Sequence, residues 1–376
     1  MQLTPADRKK LLDLLDQLGR GVEQLLQTGL TTASNSTRQI LAVAFQEASR
    51  MRLLRLGSTL RIANEELGRF TRNDSAFSAK RLVFFLNRAW LLSRGIARAL
   101  QAGDEAAFDR LVTTPAGVPV PQLTLVTFGV GKKVAAGAFV AFEFRLRSIA
   151  AADAAGRSLP TGSRLAWSCI FPVNPGVDVP PEGYLHLPQK QKFTANQFLE
   201  GRVVIIDDAT VAVDVAGTGR IALGDKSRVG LGEEFTEWSR FIDWSPEPML
   251  QRLAAHEPGP LDLEVELQEE IVLCDWSLGE PRQRDASDQT VYPVRCRDVE
   301  FDAVVSAGIE GEALREALDD LRTKANRPPL LGLLHYELCR PVLQPLAVID
   351  DDGPRHLMLS DKAIDKKELL RALRLT

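Results

Sequence analysis

"TTPAGVPVPQ", Thr113–Gln122, divides the chain into two textures. Three prolines and a glycine this close together exclude a helix and read as a linker. Before it, apolar residues recur every three or four positions. After it they recur every second position. The fold class follows from that switch of period.

Upstream, "TPADRKKLLDLLDQLGRGVEQLLQTG" offers Thr4 as an N-cap, Pro5 in the first turn and Gly29 as a stop. Leu11, Leu14, Leu15, Leu18, Val22, Leu25 and Leu26 make its apolar face. A longer helix is expected over 36–72, with Leu53, Leu56, Leu60, Ala63, Leu67 and Phe70 as a seam. "AFSAKRLVFFLNRAWLLSRGIARALQAG" gives a third helix and "DEAAFDRLV" a short fourth. Short connections make neighbours antiparallel, so residues 1–112 are expected to form an antiparallel helical bundle.

Downstream, "LTLVTF", "AFVAFEFRLRSI", "RLAWSCIF", "RVVIIDD", "TVAVDVAG" and "GRIALG" alternate like strands. They predict a central small β-barrel or sandwich over 123–232. In "FVAFEFRLRSI", Ala141, Glu143, Arg145 and Arg147 share a face that the pattern predicts to be wet. From 233 to 376 helical and strand patterns mix, as in "EEFTEWSRFIDW", "PEPMLQRLAAH", "LDLEVEL", "EGEALREALDDLRTKA", "LLGLLHYEL" and "DKAIDKKELLRALRL". That portion is expected to be a C-terminal α+β domain, making the whole a multidomain α+β protein. The sequence shows no internal repeat.

Composition bounds the function classes. The chain has 376 residues, 45% of them hydrophobic, enough for real cores. Residues 1–112 carry 17 Lys and Arg against 11 acids, whereas residues 233–376 carry 17 against 30. The four cysteines, Cys169, Cys274, Cys296 and Cys339, form no C-x-x-C pair, so neither a disulfide framework nor a zinc knuckle is indicated. "MQLTPADRKKLLDLL" has no signal-peptide core, and no run approaches the roughly 18 apolar residues of a membrane span. A cytoplasmic location with free thiols is expected.

"FGVGKK", Phe128–Lys133, asks whether a loop holds phosphate. A P-loop needs glycine where Val126 stands, a hydroxyl where Lys133 stands, and a following helix. A hairpin turn is the better reading, with Lys132 and Lys133 at its tip facing an acidic partner. Arg50, Arg61 and Arg72 are eleven residues apart, about three helical turns each, and would form one basic stripe. The stripe either covers apolar surface with its stems or meets phosphate or an acidic protein. "GYLHLPQKQKF", 183–193, concentrates Tyr184, His186, Lys190 and Lys192 in a predicted exposed, partner-binding loop.

Asp207, Asp208, Asp350, Asp351 and Asp352 could hold a hard cation, but they also stand where turns are required. His335, Cys339 and His356 would need a fourth ligand to hold zinc. No nucleophile elbow is present. No cofactor, metal or catalytic residue is therefore assigned.

"RMRLLRLGSTLRIANEELGRF" and "GLLHYELCRPVLQPLAVIDDDG" resemble segments of uncharacterised bacterial proteins associated with SWIM-type zinc-finger and MoxR-type ATPase clusters. The zinc-finger Cys/His motif is absent, so no site residue carries over. The resemblance implies a bacterial accessory protein working within a larger system. The expectation is a non-catalytic adaptor or scaffold binding protein partners. The alternatives are a nucleic-acid-binding protein using the Arg-rich face and a metal-dependent hydrolase built on the acidic turns.

Overall fold

The computed structural model describes residues 4–30, 35–74, 77–112, 117–135, 139–149, 159–173, 179–213, 217–242, 251, 268–284, 289–337 and 340–360. The segments expected as helix over 246–256 and 361–375 and as strand over 261–267 lie outside these, apart from residue 251, as does Cys339. The chain forms two compact units, one of helices and one of strands. No helix among the described residues is long and apolar enough to cross a membrane.

The helical unit contains α1 (Pro5–Thr28), α2 (Asn35–Arg50), α3 (Leu54–Thr71), α4 (Ala79–Ala102) and α5 (Glu105–Val112). Thr4 Oγ1 accepts the Asp7 N–H at 3.1 Å, the capping role its position predicts. Arg8, near the start of α1, donates to Leu100 O near the end of α4. Glu23, near the end of α1, accepts from Trp90 Nε1 at 2.6 Å and Arg94 Nη2 at 2.8 Å. Those pairings run α1 and α4 antiparallel. Leu11, Leu15, Leu18 and Val22 meet Leu56, Leu60, Leu92 and Ile96 in one core, while Leu26 stays exposed.

The single helix expected over 36–72 is two. After α2, the Leu53 N–H reaches Ala48 O at 2.8 Å and the Arg52 N–H reaches Ser49 O at 3.2 Å. Arg52 has φ 56°, completing a Schellman closure. The same closure ends α3 at Asn73 and α4 at Gly103, residues better suited to a left-handed backbone. The break disperses the expected Arg stripe. Arg50 closes α2, Arg61 lies inside α3 and Arg72 caps the end of α3.

In the strand unit, β1 (Val118–Ala135), β2 (Phe139–Ser148), β3 (Arg164–Pro172), β4 (Arg202–Val213) and β5 (Gly219–Glu234) close a barrel in the order β1-β2-β3-β5-β4. All pairs are antiparallel except β3 with β5. This is the five-stranded Greek-key arrangement of an OB-type barrel. Two 3₁₀ turns between β3 and β4, Pro181–His186 and Ala195–Leu199, plug it. Tyr184, Phe193 and Phe198 join Phe142, Phe144 and Trp167 in its core, with Trp167 and Phe198 stacked at 4.7 Å.

β1 starts inside the stretch expected as a linker. Over residues 118–124 it pairs with β4, and pairing with β2 begins only at Leu125. Pro119 and Pro121 therefore occupy a one-sided stretch of strand, where a missing N–H is tolerated.

Further on come β6 (Glu269–Leu273), β7 (Trp276–Leu278), β8 (Arg282–Gln283), β9 (Thr290–Cys296), β10 (Val299–Val305), α6 (Ile309–Thr323), β11 (Leu330–Glu337), β12 (Arg340–Asp350) and β13 (Gly353–His356). The sheet order is β6-β11-β12-β10-β9-β7. Its two outer strands, β6 and β7, are consecutive in the chain, joined by Cys274 and Asp275. Counted as one bent strand, β6–β7 pairs antiparallel with β9 and with β11. β9 pairs antiparallel with β10, β10 parallel with β12, and β11 antiparallel with β12. These are the pairings of the first barrel, strand for strand. α6 lies between the third and fourth strands, where the first barrel has its two 3₁₀ turns. A repeat absent from the residues is thus present in the topology.

The described residues of the portions 123–232 and 233–376, expected as separate domains, fall in one compact unit. Val126 and Phe128 of β1 share a core with Phe235, Trp238, Leu331 and Leu346. Of the segment "EEFTEWSRFIDW", expected as helix, residues 233–242 are the end of β5 and a 3₁₀ turn at Trp238–Phe241 that feeds this core, and 243–244 lie outside the described residues. "FGVGKK" is internal strand, since β1 continues to Ala135, which pairs with Phe139. Gly129 serves close packing, whereas a Cβ on Gly131 would meet only ordinary contacts near 3.8 Å. A Cβ on Gly129 would lie 2.6 Å from Leu331 Cδ2 and 3.0 Å from Leu346 Cβ.

Candidate partner-binding groove between the two barrels

The face of β2 predicted to be wet is largely covered. Arg145 is 1% exposed and Arg147 5%, because the second sheet lies over them. Arg147 pairs with Glu270 of β6, and its guanidinium sits 5.4 Å from the Phe128 ring centroid. Arg145 and Arg220 both pair with Glu143, which also accepts from Ser168 Oγ at 3.3 Å. Burial pushes the Glu143 and Glu270 carboxyls up. The neighbouring guanidiniums outweigh it, Arg145 and Arg220 at Glu143 and Arg147 at Glu270, and hold both below the usual range.

What remains open is a groove of about 610 Å³. Its first wall is Lys133 of β1, Glu143 of β2, and Ser168 and Ile170 of β3. The facing wall includes Val304, Glu310, Leu333 and Met358 of the second barrel. Ile170 is 67% exposed on a strand whose alternate residues fill the barrel. Burial raises the Glu310 carboxyl above its ordinary value, against the opposing charges of Lys133 and Lys132. The groove thus combines apolar side chains with buried, paired cations and one exposed lysine, Lys133.

Lys132, expected at a loop tip, is 3% exposed and bonds Glu182 Oε1 at 2.8 Å. It also reaches Ile309 O, the first residue of α6, at 3.5 Å. Lys133 alone of the lysine pair is exposed, at the groove. Tyr184 is not on the surface: it packs against Phe171 at 5.8 Å, and burial pushes its phenol up. His186 ends the same 3₁₀ turn, half-buried. Lys190 and Lys192 do project, from a tight turn closed by the Pro188–Thr194 bridge. They border a second, shallower pocket of about 470 Å³ with Asp207, Asp208, Asp225 and Arg228, and Lys190 pairs with Asp225 at 2.5 Å. In the helical unit Arg50 pairs with Glu47 at 2.7 Å, and Arg61 and Arg72 are exposed.

Of the two acidic clusters expected at turns, only that at 350–352 occupies one, whereas Asp207 and Asp208 lie within continuous β4. Asp208 has φ 56° at a bulge of β4, where Ser227 Oγ donates to its carbonyl at 2.6 Å. Asp350 Oδ1 accepts the Asp352 N–H at 3.2 Å across the β12–β13 turn. Among the described residues no three His, Cys, Asp or Glu side chains converge on a metal position.

Residue types did not signal Glu270, Glu182 or Glu310 as partners of the basic strands. Each is contributed from far along the chain, and only the charged alternation of β2 marked that face as unusual.

No protein-family model matches the chain, and no curated protein matches it. Similar solved structures include the HINa domain of Ifi202 in complex with 20-bp double-stranded DNA, at 9% identity and TM-score 0.27, covering 61% of this chain and 93% of that one. A murine DNA-binding protein bound to double-stranded DNA is 10% identical at TM-score 0.26, covering 65% and 100%. The tetrameric p202 HIN2 is 10% identical at TM-score 0.27, covering 63% and 98%.

Proposed function

We propose that the chain is a non-catalytic adaptor that holds an extended polypeptide segment of a protein partner in the groove between its barrels. The setting is an accessory role in a larger bacterial protein system. The observation that carries this reading is the composition of the groove: exposed Ile170 beside Arg145 and Glu143, with Glu143 held by both Arg145 and Arg220. Apolar floors with satisfied polar rims suit peptides, whose backbone supplies hydrogen bonds and whose side chains fill pockets. A phosphate backbone gains affinity by neutralising unpaired cations and releasing counterions. Here Lys132 and Arg147 each have a buried carboxylate partner and Arg145 shares Glu143 with Arg220, which leaves Lys133 as the exposed cation of the groove.

A second reading, nucleic-acid binding, is favoured by one observation, the OB-type strand order, which elsewhere presents oligonucleotide sites. Anisotropy titration of labelled single- and double-stranded oligonucleotides at low salt separates the two. The adaptor reading expects no saturable binding in the micromolar range. Micromolar binding with a steep salt slope, lost in Lys133→Glu, would establish the second reading instead.

A further inference from the structure

We propose that Cys274 and Cys296 are a redox-modification site, able to form an intramolecular disulfide by exchange with a low-molecular-weight disulfide such as oxidised glutathione. They are 22 residues apart and no sequence motif links them. The fold brings them together at the bend of the first strand of the second barrel. β6 leaves β11 at Leu273, and β7 takes up β9 at Trp276, whose cross-strand partner is Cys296. Between them Asp275 turns the backbone left-handed at φ 54°. The Cys296 thiol donates to the Cys274 carbonyl at 3.0 Å. Its sulfur therefore lies against the Cys274 peptide, and the disulfide forms once the two side chains turn toward each other.

The two thiols differ in a way that orders the reaction. Cys274 is half-buried, whereas Cys296 is buried and burial pushes its thiol up. Cys274 as thiolate attacks one sulfur of the small disulfide, forming a mixed disulfide and expelling one small thiolate. Cys296 then loses its proton to solvent and attacks the Cys274 sulfur, expelling the second. Two protein thiols are oxidised, one small disulfide is reduced to two thiols, and no atom is left over. Cys169 provides the contrast: it lies in the core of the first barrel, and burial pushes its thiol up to about 12. The new bond would pin the bend between β6 and β7 onto β9.

The test treats the native full chain with oxidised glutathione and maps it by mass spectrometry without reduction. A monomer carrying a Cys274–Cys296 linked peptide is expected. Cys296→Ser should leave a glutathione adduct on Cys274, whereas Cys274→Ser should leave Cys296 unmodified under the same conditions. The wild-type map stands even if a variant folds poorly. Absence of the linked peptide, or Cys274 bonded to another cysteine or another chain, would overturn the proposal. The oxidised form should also show a higher urea midpoint than the reduced form. An unshifted midpoint would contradict pinning of the bend.

Discussion

Lys132 Nζ lies 2.8 Å from Glu182 Oε1, with both side chains buried, and Glu182 also accepts the Ser360 N–H at 3.2 Å. One ammonium–carboxylate pair thus joins β1, the plug of the first barrel, and the segment that follows β13. Removing one partner leaves the other buried without its counter-charge. Lys132→Ala should lower unfolding free energy by about 3–5 kcal/mol in urea titration, and Lys132→Met with Glu182→Leu should recover most of it. A single-variant loss below about 1 kcal/mol would mean that the pair is solvated.

Gly129 is a point of close backbone approach between the barrels. Gly129→Ala places a methyl group against Leu331 Cδ2 and Leu346 Cβ, and only the first can swing aside. Overpacking of this kind should destabilise by about 1–3 kcal/mol. Gly131, whose added Cβ would meet ordinary contacts near 3.8 Å, should tolerate alanine better. Equal effects of the two changes would contradict the packing described for β1.

Arg52 holds a left-handed backbone with exposed side chain at the α2–α3 junction. That conformation costs a non-glycine residue about 1–2 kcal/mol. Glycine gives back part of the gain as unfolded-state entropy, about 0.5–1 kcal/mol. Arg52→Gly should therefore raise the stability of the helical unit by roughly 0.5–1 kcal/mol, and Arg52→Ala should not. Calorimetry of the full chain reads the difference.

These positions show how far the sequence is legible. The leucines of α1 announce their helix because burial there follows a local 3.6-residue period. The Arg52 break is silent because the closure uses backbone bonds and an atypical residue. Gly129 and Gly131 suggest a turn, since glycine supplies both turns and close approach, and the neighbours that decide the matter lie some 200 residues away, at Leu331 and Leu346. The covered face of β2 shows its alternation but not its cover. The tandem barrel is invisible because pairing order, not residue identity, repeats: β1 is continuous where its counterpart breaks at Cys274 and Asp275. Of the expected contact residues only Lys133 meets the groove as an exposed charge, because strand extension moved Lys132 inward and the plug took Tyr184.

His356 is held neutral by burial, which lowers its pKa from 6.5 to about 4. A depressed basic group favours folding in its neutral form. Its contribution is complete above the unfolded value near 6.5 and is lost as pH falls through about 4. Stability of the strand unit should therefore decline over that window, and His356→Leu should flatten the decline. An unchanged pH profile in the variant would show that other groups set it.

The adaptor account is tested most directly by what is captured at Ile170. A photo-crosslinking residue placed there reports on the groove while leaving the barrel core untouched, because Ile170 points outward from β3. Irradiation in native bacterial lysate, followed by separate protease and nuclease digestion, identifies the chemistry of whatever is bound. The account predicts one discrete adduct that protease removes and nuclease does not, absent when the same residue replaces exposed Ala222 of β5. An adduct at Ile170 that nuclease removes would contradict it.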